Sequence, residues 1–249
     1  ATTASTDKGV PLALKIDLEQ AYVPESVAVI YNQILLDSKE AENLLNKDTQ
    51  ATGMNYRFSK AALYALESRI YLYQKEWQKA LAATEKALTY NSNLVNLNTT
   101  PLLVNKYDSA ESILALESVF LIRLKNYTFP SPELIANYNK LTDLRFGLYF
   151  QANGSSYKFK SEIKEYANQK CSFRTSELYL TKSEAFLQLN NLTEAKTTLL
   201  SFIEKRYNPT AFIQLSTEIN AMNTADFTNF LYQERQREFA AEGHRWFDL

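Results

Sequence analysis

Glycine and proline are scarce in this sequence. It contains five glycines and six prolines among 249 residues, which is about half of their average usage or less. All-β sandwiches and βαβ folds need many glycine-containing turns, so this scarcity favours a mostly helical chain. Because 45% of the residues are hydrophobic and 22% are charged, we expect the chain to fold around a core of ordinary size.

Several other sequence features are absent, and each absence argues against one class of protein or one structural feature. The net charge of −1 leaves no surplus of lysine and arginine to bind a phosphate backbone, which disfavours nucleic-acid binding. No apolar run reaches the ~18–20 residues that span a bilayer, and the first residues lack a charged-then-apolar signal pattern. The protein is therefore intracellular, or its targeting segment lies outside this sequence. The single cysteine, Cys171, excludes an internal disulfide.

Periodic apolar residues predict the first three helices. Pro24 suits the first position of a helix over about 24–46, because proline is favoured where the backbone N–H has no helical partner. After a polar turn, Ser59 is a good N-cap. It precedes two further helices, over about 60–74 and 76–90, which are separated by a short break in the periodicity.

The segment 59–91 resembles a tetratricopeptide (TPR) helical hairpin. Small side chains lie on one face of its second helix, at Ala80, Ala83 and Ala87, and would let two antiparallel helices pack closely. A similar pattern recurs over 173–207. Because the two hairpins do not follow each other at the roughly 34-residue TPR period, we expect a helical scaffold with a long insertion and not a continuous solenoid.

The insertion between the hairpins carries three local signals. The run ESILALESVFLIRL could be a helix by propensity or a buried strand by its apolar content, and its periodicity does not decide between them. Ser131, Pro132 and Glu133 form a helix start, with an N-cap, a proline at the first position and an acid near the positive end of the helix dipole. Asn153 and Gly154 predict the type I′ turn of a β-hairpin, since aromatic residues alternate on both sides.

The end of the chain predicts one more helix and a short element after it. Thr224 is a candidate N-cap, and the helix should cover about 225–242. It should end at Gly243, which can adopt the left-handed conformation that closes many helices.

The charged residues of this last helix form a pattern that suggests burial. On a helical wheel, Glu234 and Glu238 fall on the same stripe as the apolar residues, which should face the core. Arg235 and Arg237 flank that stripe at i,i+3 spacing from these glutamates. Since an unpaired buried carboxylate costs several kcal/mol, we expect an arginine–glutamate network. Two further arginines are candidate partners: Arg174 and Arg245.

Three chemical interpretations compete with this structural one. Glu234 and Glu238 could be the acid and base of a glycoside hydrolase, although flanking arginines would lower the pKa of both. Cys171 and His244 could form a nucleophile–base pair, but neither lies in a supporting local motif. A zinc site is not expected from a single histidine and a single cysteine. The pattern favours a structural clamp, with no catalytic residue, metal or cofactor.

The closing stretch, ERQREFAAEGHRWFDL, resembles the C-terminal signature of the SusD/RagB family, whose usual form is close to ERRREFAGEGHRWFDL. The structural positions of this motif are Glu234, Arg235, Arg237, Glu238, Gly243, His244, Arg245 and Trp246. The segment FRTSELYLTKSEAFLQL, which contains Arg174 and Glu177, resembles the family's helix before a late TPR hairpin. The segments GVPL, SKAALYALESRIYLY, AESILAL and LTDLRFGLYF also follow the family's order. The resemblance therefore covers nearly the whole chain, as a single SusD-like domain over 1–249.

This resemblance implies an all-α, SusD-like fold in which TPR-type hairpins carry long irregular loops and a small β-hairpin. It implies a lipid-anchored protein of the Bacteroidetes outer membrane that faces the exterior, captures oligosaccharides and delivers them to a SusC-like TonB-dependent transporter. Such proteins bind glycans and are not enzymes. The alternative is a TPR-type module that binds a protein or peptide and no sugar. Family members are typically longer, begin with a lipidated cysteine and continue past the RWFDL motif, so we expect this chain to be part of a longer protein.

The resemblance also implies how a glycan would be held, although no sequence motif identifies the ligand-binding positions in this chain. Family members stack aromatic side chains on sugar rings and bind hydroxyl groups with polar side chains in loops. Aromatic residues near polar loops are therefore the predicted contacts. The predicted ligand-binding residues are Tyr107, Tyr149, Tyr157, Asn98, Asn105 and Asn153. Trp77 occupies a TPR packing position and is predicted to be structural.

Overall fold

The computed structural model describes residues 3–17, 19, 21–116, 128–160 and 169–248. Residues Ala1–Asn46 form one compact unit and Lys47–Leu249 another. The helices in the described part are α1 (Val27–Leu44), α2 (Lys60–Tyr73), α3 (Trp77–Tyr90), α4 (Pro132–Ala136), α5 (Phe146–Tyr149), α6 (Thr175–Gln188), α7 (Leu192–Ile203), α8 (Pro209–Ala221), α9 (Thr224–Glu238) and α10 (His244–Asp248). The strands are β1 (Lys8–Pro11), β2 (Pro24–Ser26), β3 (Ser112–Leu114), β4 (Phe150–Asn153), β5 (Ser156–Phe159) and β6 (Phe173–Arg174).

The prediction of a mostly helical fold is confirmed. Within the described ranges the strands form only two-stranded sheets, in the pairs β1–β2, β3–β6 and β4–β5. None of the described helices is both long enough and apolar enough to cross a bilayer.

The first unit contains a short sheet followed by α1. Strands β1 and β2 are antiparallel, with Lys8 opposite Ser26. The predicted start of α1 at Pro24 is wrong, because Pro24 lies in β2 and the helix begins at Val27. Ser26 caps it instead: its side-chain oxygen accepts a hydrogen bond from the backbone N–H of Val29 at 3.3 Å.

The first helical hairpin consists of α2 and α3. Ser59 caps α2 as predicted, since its Oγ accepts a hydrogen bond from the Ala62 N–H at 3.3 Å. The small residues Ala80 and Ala87 of α3 are fully buried, and α2 and α3 pack closely against each other. The predicted close packing of two antiparallel helices over small side chains is therefore present.

The second hairpin, α6 and α7, repeats local details of the first. When residues 60–92 are aligned with 175–207, Lys75 falls on Asn190, and both residues have a left-handed backbone with φ of 62°. Ser68 and Ser183 are also aligned, and each forms a buried hydrogen bond across its own hairpin. Helix α3 packs against α6, so the two hairpins lie side by side although a long insertion separates them in the sequence.

The insertion joins this scaffold through a small sheet. The start of the ambiguous apolar run is the strand β3, which pairs antiparallel with β6 so that Ser112 lies opposite Arg174. The buried-strand alternative is therefore correct for residues 112–114, and residues 117–127 lie outside the described part of the chain. Ile113 and Leu114 are buried in the core of the first hairpin.

The β-hairpin of the insertion is present, but its turn differs from the prediction by one residue. Asn153 pairs with Ser156 and remains in the strand β4. The left-handed residue is Gly154, with φ of 61°, so the predicted type I′ turn starting at Asn153 is wrong. The predicted start of α4 is confirmed, because the Ser131 Oγ accepts a hydrogen bond from the Leu134 N–H at 3.2 Å.

The last long helix, α9, begins and ends earlier than predicted. Asn223 caps it in place of Thr224, with its Oδ1 accepting a backbone N–H at 3.0 Å. The helix ends at Glu238, with Phe239 as its C-cap. Both Ala241, with φ of 66°, and Gly243, with φ of 83°, are left-handed in the segment that follows. The short helix α10 follows, as expected.

The left-handed Lys75 gives a first testable prediction. Replacing it with glycine should raise the free energy of unfolding by up to about 1 kcal/mol. A residue with a side chain pays ~1–2 kcal/mol to adopt the left-handed conformation, and glycine removes this cost. The gain is partly offset, because glycine loses more chain entropy on folding, which costs roughly 0.5–1 kcal/mol. Urea unfolding followed by circular dichroism measures the change.

Ala82→Gly is the matched control, because Ala82 is an exposed residue in the interior of the adjacent helix α3. That substitution should lower stability by about 1 kcal/mol. A loss of stability in both variants would contradict the assignment of backbone strain to Lys75.

Candidate functional site

The two glutamates of the closing stretch are fully buried. Glu234 and Glu238 each expose 0% of their surface, as the helical wheel predicted. Burial of two carboxylates on one helix face requires counter-charges from the surrounding segments, because an isolated buried charge costs several kcal/mol.

Glu238 is bound by three arginines from three different segments. Arg206 donates from Nε to Oε2 and from Nη2 to Oε1, both at 3.0 Å. Arg145 donates to Oε2 at 3.0 Å. Arg174, a predicted partner, donates from Nη1 to Oε1 and from Nη2 to the backbone carbonyl of Glu238. The same arginine also binds Glu242 through Nε and Nη2, at 3.1 and 2.9 Å.

Glu234 has its own set of partners. Arg237 donates to its Oε2 from Nε at 2.9 Å and from Nη2 at 2.6 Å, so this predicted i,i+3 pair is present. Arg145 Nη1 lies 2.7 Å from Glu234 Oε1. The hydroxyl group of Tyr207 donates to Oε2 at 3.1 Å.

Two further acids complete the network. Arg206 Nη2 donates to Glu111 Oε1 at 2.7 Å, and Arg145 binds Asp143 bidentately at 2.9 and 2.8 Å. We call these eight residues the buried ion cluster: Arg145, Arg174, Arg206, Arg237, Glu111, Asp143, Glu234 and Glu238. None of them exposes more than 4% of its surface. Four positive charges face four negative ones, and Glu242, bound to Arg174, is a fifth acid in contact with the cluster.

The electrostatics of this cluster exclude an acid–base pair. Burial alone would raise the pKa of Glu238, but the charges of Arg206, Arg174 and Arg145 outweigh it and hold the pKa well below its ordinary value. The pKa of Glu234 is also lowered, because Arg145 and Arg237 outweigh the effect of its burial. With both carboxyl groups ionised, neither can act as the general acid that glycoside hydrolysis requires.

The hypothesis of a cysteine nucleophile is equally unsupported. Burial raises the pKa of the Cys171 thiol far above its ordinary value, which disfavours the reactive thiolate. His244 is stacked on Phe239 with ring centroids 4.2 Å apart. In the described part of the chain, no group of three or more His, Cys, Asp or Glu residues is suited to hold a metal ion.

The other motif residues lie around the cluster. Arg235 does not pair with Glu238 as its i,i+3 spacing suggested. It binds Asp248 of α10 instead, at 3.2 Å. Glu177 forms a bidentate pair with Arg69, with both distances 2.6 Å. Trp246, in contrast, is 80% exposed.

Sequence reasoning missed half of the ion cluster. Arg145, Arg206, Glu111 and Asp143 lie outside the closing stretch, at the ends of loops or helices, and no local period marks them. The resemblance of the segments AESILAL and LTDLRFGLYF to family segments was the available signal for three of them, since these segments contain Glu111, Asp143 and Arg145.

A large groove lies on the other side of α9 from the cluster. Its volume is about 570 Å³, within the range typical of small-molecule sites. The lining residues of this α9 groove are Leu72, Tyr73, Lys75, Trp77, Glu184, Gln188, Tyr232, Arg235, Gln236, Arg245, Phe247 and Asp248. It therefore combines four aromatic side chains with seven polar or charged ones.

The aromatic residues of the α9 groove are accessible. Tyr232 and Phe247 expose 41% and 68% of their surface, and the rings of Tyr73 and Phe247 lie 6.0 Å apart at an angle of 37°. Trp77 was predicted to pack within the hairpin. It is only partly buried, and it also lines the groove. Exposed rings beside polar side chains can contact the apolar face and the hydroxyl groups of one ligand at the same time.

The ligand-binding residues predicted from the sequence lie elsewhere. Tyr149 and Asn105 line one small cavity of about 30 Å³, room for about one water molecule. The ring of Tyr157 is covered by Lys140, 4.6 Å away, and by Phe146, 5.2 Å away.

The remaining three predicted residues are separate from one another. The side chain of Asn98 donates to the backbone carbonyl of Tyr207 at 3.0 Å, which ties its loop to the scaffold. Tyr107 is half-buried, and its carbonyl accepts a hydrogen bond from the Asn55 side chain at 2.6 Å. Asn153 is exposed at the end of β4. Only Tyr149 and Asn105 are therefore brought together.

Solved structures of SusD-like proteins have the same fold. A SusD superfamily protein from Bacteroides fragilis superposes with a TM-score of 0.76 at 22% identity, over 99% of this chain and 60% of the other. A SusD superfamily protein from Bacteroides thetaiotaomicron has a TM-score of 0.74 at 22% identity, over 99% and 61%. A SusD-like carbohydrate-binding protein from Bacteroides vulgatus has a TM-score of 0.72 at 19% identity, over 97% and 56%.

The likeness to these structures establishes a SusD-like helical fold. The sequence model of the SusD family matches residues 70–249, and the chain belongs to the SusD family. It spans 56–61% of the length of the three solved relatives. No curated protein matches the sequence.

The ion cluster predicts a large effect of one substitution. Glu238→Ala should lower the free energy of unfolding by more than about 2 kcal/mol, since removing one partner of a buried ion pair typically costs 3–5 kcal/mol. Here three arginines lose a shared counter-charge. Gln233→Ala, at an exposed position of the same helix, should change stability by less than about 0.5 kcal/mol. Urea unfolding measures both, and similar small losses in the two variants would refute the clamp.

The single histidine predicts a pH dependence that can be observed directly. Burial lowers the pKa of His244 to about 4, although the Glu177 charge opposes this effect. Because the unfolded chain binds this proton near pH 6.5, the contribution of His244 to stability is full above pH 6.5 and falls as the pH decreases toward 4. The one imidazole signal in an NMR titration should show a midpoint near pH 4. A midpoint near 6.5 would mean that His244 is solvated in the folded protein.

Proposed function

We propose that this chain is part of a cell-surface protein that captures oligosaccharides, and that the α9 groove is the site where the sugar is held. The observation that carries the proposal is membership of the SusD family over residues 70–249. A solved relative with the same fold is described as a SusD-like carbohydrate-binding protein. The groove adds a site of suitable size and chemistry within this chain.

The chemistry of the groove suits a sugar ring. A pyranose has an apolar C–H face and a rim of hydroxyl groups. Tyr232 and Phe247 offer exposed aromatic faces for the former. Gln188, Gln236 and Glu184 line the same groove and offer donors and acceptors for the latter. Such sites combine an apolar wall with a few oriented polar groups.

The proposal describes a binding protein and not an enzyme. Glu234 and Glu238 have lowered pKa values and are shielded from solvent, so they are not suited to protonate a leaving group. By the same family argument, we propose that the complete protein is lipid-anchored at the outer membrane, faces the exterior and delivers its ligand to a SusC-like TonB-dependent transporter. Co-purification of the complete protein with the transporter encoded beside it tests this partner, and independent elution of the two would refute it.

The groove assignment predicts the effect of removing its exposed rings. Tyr232→Ala and Phe247→Ala should each weaken binding of an oligosaccharide at least fivefold, since each removes about 1 kcal/mol or more of ring contact. Isothermal titration calorimetry with a panel of neutral and charged oligosaccharides measures the affinity. Phe129→Ala is the matched control, because Phe129 is also an exposed aromatic residue, at 59%, and lies outside the groove.

The possible outcomes separate the competing sites and functions. Unchanged affinity in both groove variants, together with a loss in Tyr107→Ala or Tyr157→Ala, would move the site to the loops predicted from the sequence. Binding of peptides and of no oligosaccharide would favour the TPR-type interaction module. Release of reducing ends from any glycan, abolished by Glu234→Gln, would show an enzyme.

A further inference from the structure

Some of the charged side chains that line the α9 groove form ion pairs with each other, and others do not. Three cations line it, Lys75, Arg235 and Arg245, against two acids, Glu184 and Asp248. The carboxylate of Asp248 is already bound by Arg235, at 3.2 and 3.4 Å. One cation and one acid therefore neutralise each other, and the remaining charge depends on the other three residues.

The other two cations have no ion-pair partner in the described part of the chain. Lys75 and Arg245 are exposed, and within the described ranges neither forms an ion pair or a side-chain hydrogen bond. Arg235 is 3% exposed, and its Nη1 lacks a hydrogen-bond acceptor among the described residues. A buried guanidinium group with an unused donor is costly, and an acceptor from a ligand would relieve that cost.

The remaining acid offsets only one of these charges, since three cations and two acids line the groove. Glu184 is 8% exposed, and burial raises its pKa despite the nearby charge of Arg235. The hydroxyl group of Tyr232 lies 3.4 Å from its Oε1. The groove thus presents a positive potential, and positive potential in a cleft with low-dielectric walls attracts anions.

The fold does not require a cation at position 75. In the second hairpin the structurally equivalent left-handed residue is Asn190, with the same φ of 62°. Asparagine tolerates this backbone conformation better than lysine. The turn itself therefore gives no reason for a lysine at position 75.

From these contacts we propose that the α9 groove selects an anionic oligosaccharide, one whose rings carry carboxylate or sulfate groups. This inference rests on the proposed function, because it names the class of glycan that the same site would take. The aromatic residues hold the rings, and Lys75, Arg245 and Arg235 bind the anionic substituents through charge-assisted hydrogen bonds, which are stronger than neutral ones.

The test compares matched oligosaccharides that differ only in charge. Tetrasaccharides on galactan, glucan and mannan backbones are prepared in neutral, 6-carboxylated and 6-sulfated forms, and each is titrated calorimetrically into the protein at low and moderate salt. We expect one acidic form to bind at least tenfold more tightly than its neutral counterpart, with the difference decreasing as salt is added. Comparison of the carboxylated and sulfated forms identifies the anionic group.

Two variants test whether the preference for acidic oligosaccharides arises in the α9 groove. Lys75→Asn copies the second hairpin and should fold normally, and Arg245→Gln changes an exposed side chain. Each should weaken binding of the acidic ligand about three- to tenfold and weaken binding of the neutral one by much less. Lys47→Gln removes a charge at an exposed position outside the groove and should change neither affinity.

The outcomes distinguish the two proposals. Equal affinity for acidic and neutral forms, with ring variants weakening both, would overturn the anionic selectivity and leave glycan binding in place. An acidic preference unaffected by Lys75→Asn and Arg245→Gln would overturn the assignment to this groove. Binding of an acidic peptide, and of none of the nine oligosaccharides, would overturn both proposals.

Discussion

Glu238 is the point at which distant parts of the chain are joined. Its carboxylate receives Arg145, 93 residues earlier in the sequence, Arg174, 64 residues earlier, and Arg206, 32 residues earlier. A buried ion network of this kind is not an efficient source of stability, since apolar side chains of similar volume often stabilise as much or more. Its bidentate contacts do require defined positions of each segment, and any displacement leaves a buried charge without a partner. The network therefore specifies how the insertion and the second hairpin sit against α9.

This constraint extends to the groove because α9 has two functional faces. Glu234 and Glu238 fix one face to the scaffold, whereas Tyr232, Arg235 and Gln236 leave the other face and line the groove. The first hairpin and α6 supply the opposite wall, through Tyr73, Trp77 and Glu184. Packing of α3 against α6 holds this opposite wall together. The groove residues thus come from segments whose positions the buried charges and the hairpin contacts already determine.

The sequence predicted those features that depend on short-range patterns. The first hairpin was predictable because small residues recur on one face of its second helix, and the second hairpin because it repeats a similar pattern. The burial of Glu234 and Glu238 was predictable because they share a stripe with apolar residues. Local signals failed where two residues compete for one role, as when Asn223 caps α9 in place of Thr224. The partners of Glu238 could not be derived, since Arg145 and Arg206 reach it only through the tertiary fold. For the same reason the groove was missed: its residues are scattered from Leu72 to Asp248, and no spacing connects them.

From the sequence alone, the whole closing stretch was interpreted as structural. In the structure, its arginines fall into two groups that differ in how fully they are paired. Arg237 and the two glutamates are fully paired inside the protein, and their charges are neutralised. Arg235 is buried with one donor unused, and Arg245 is exposed without an ion-pair partner among the described residues. Arginine therefore serves two different purposes within this one motif. A fully paired arginine fixes geometry and presents no net charge to a ligand, whereas the exposed Arg245 keeps its charge available. Arg235, although bound to Asp248, keeps one donor unused. Because the paired ones hold α9 in place, the spare ones are presented at fixed positions, which is the condition under which a few charges can discriminate between ligands.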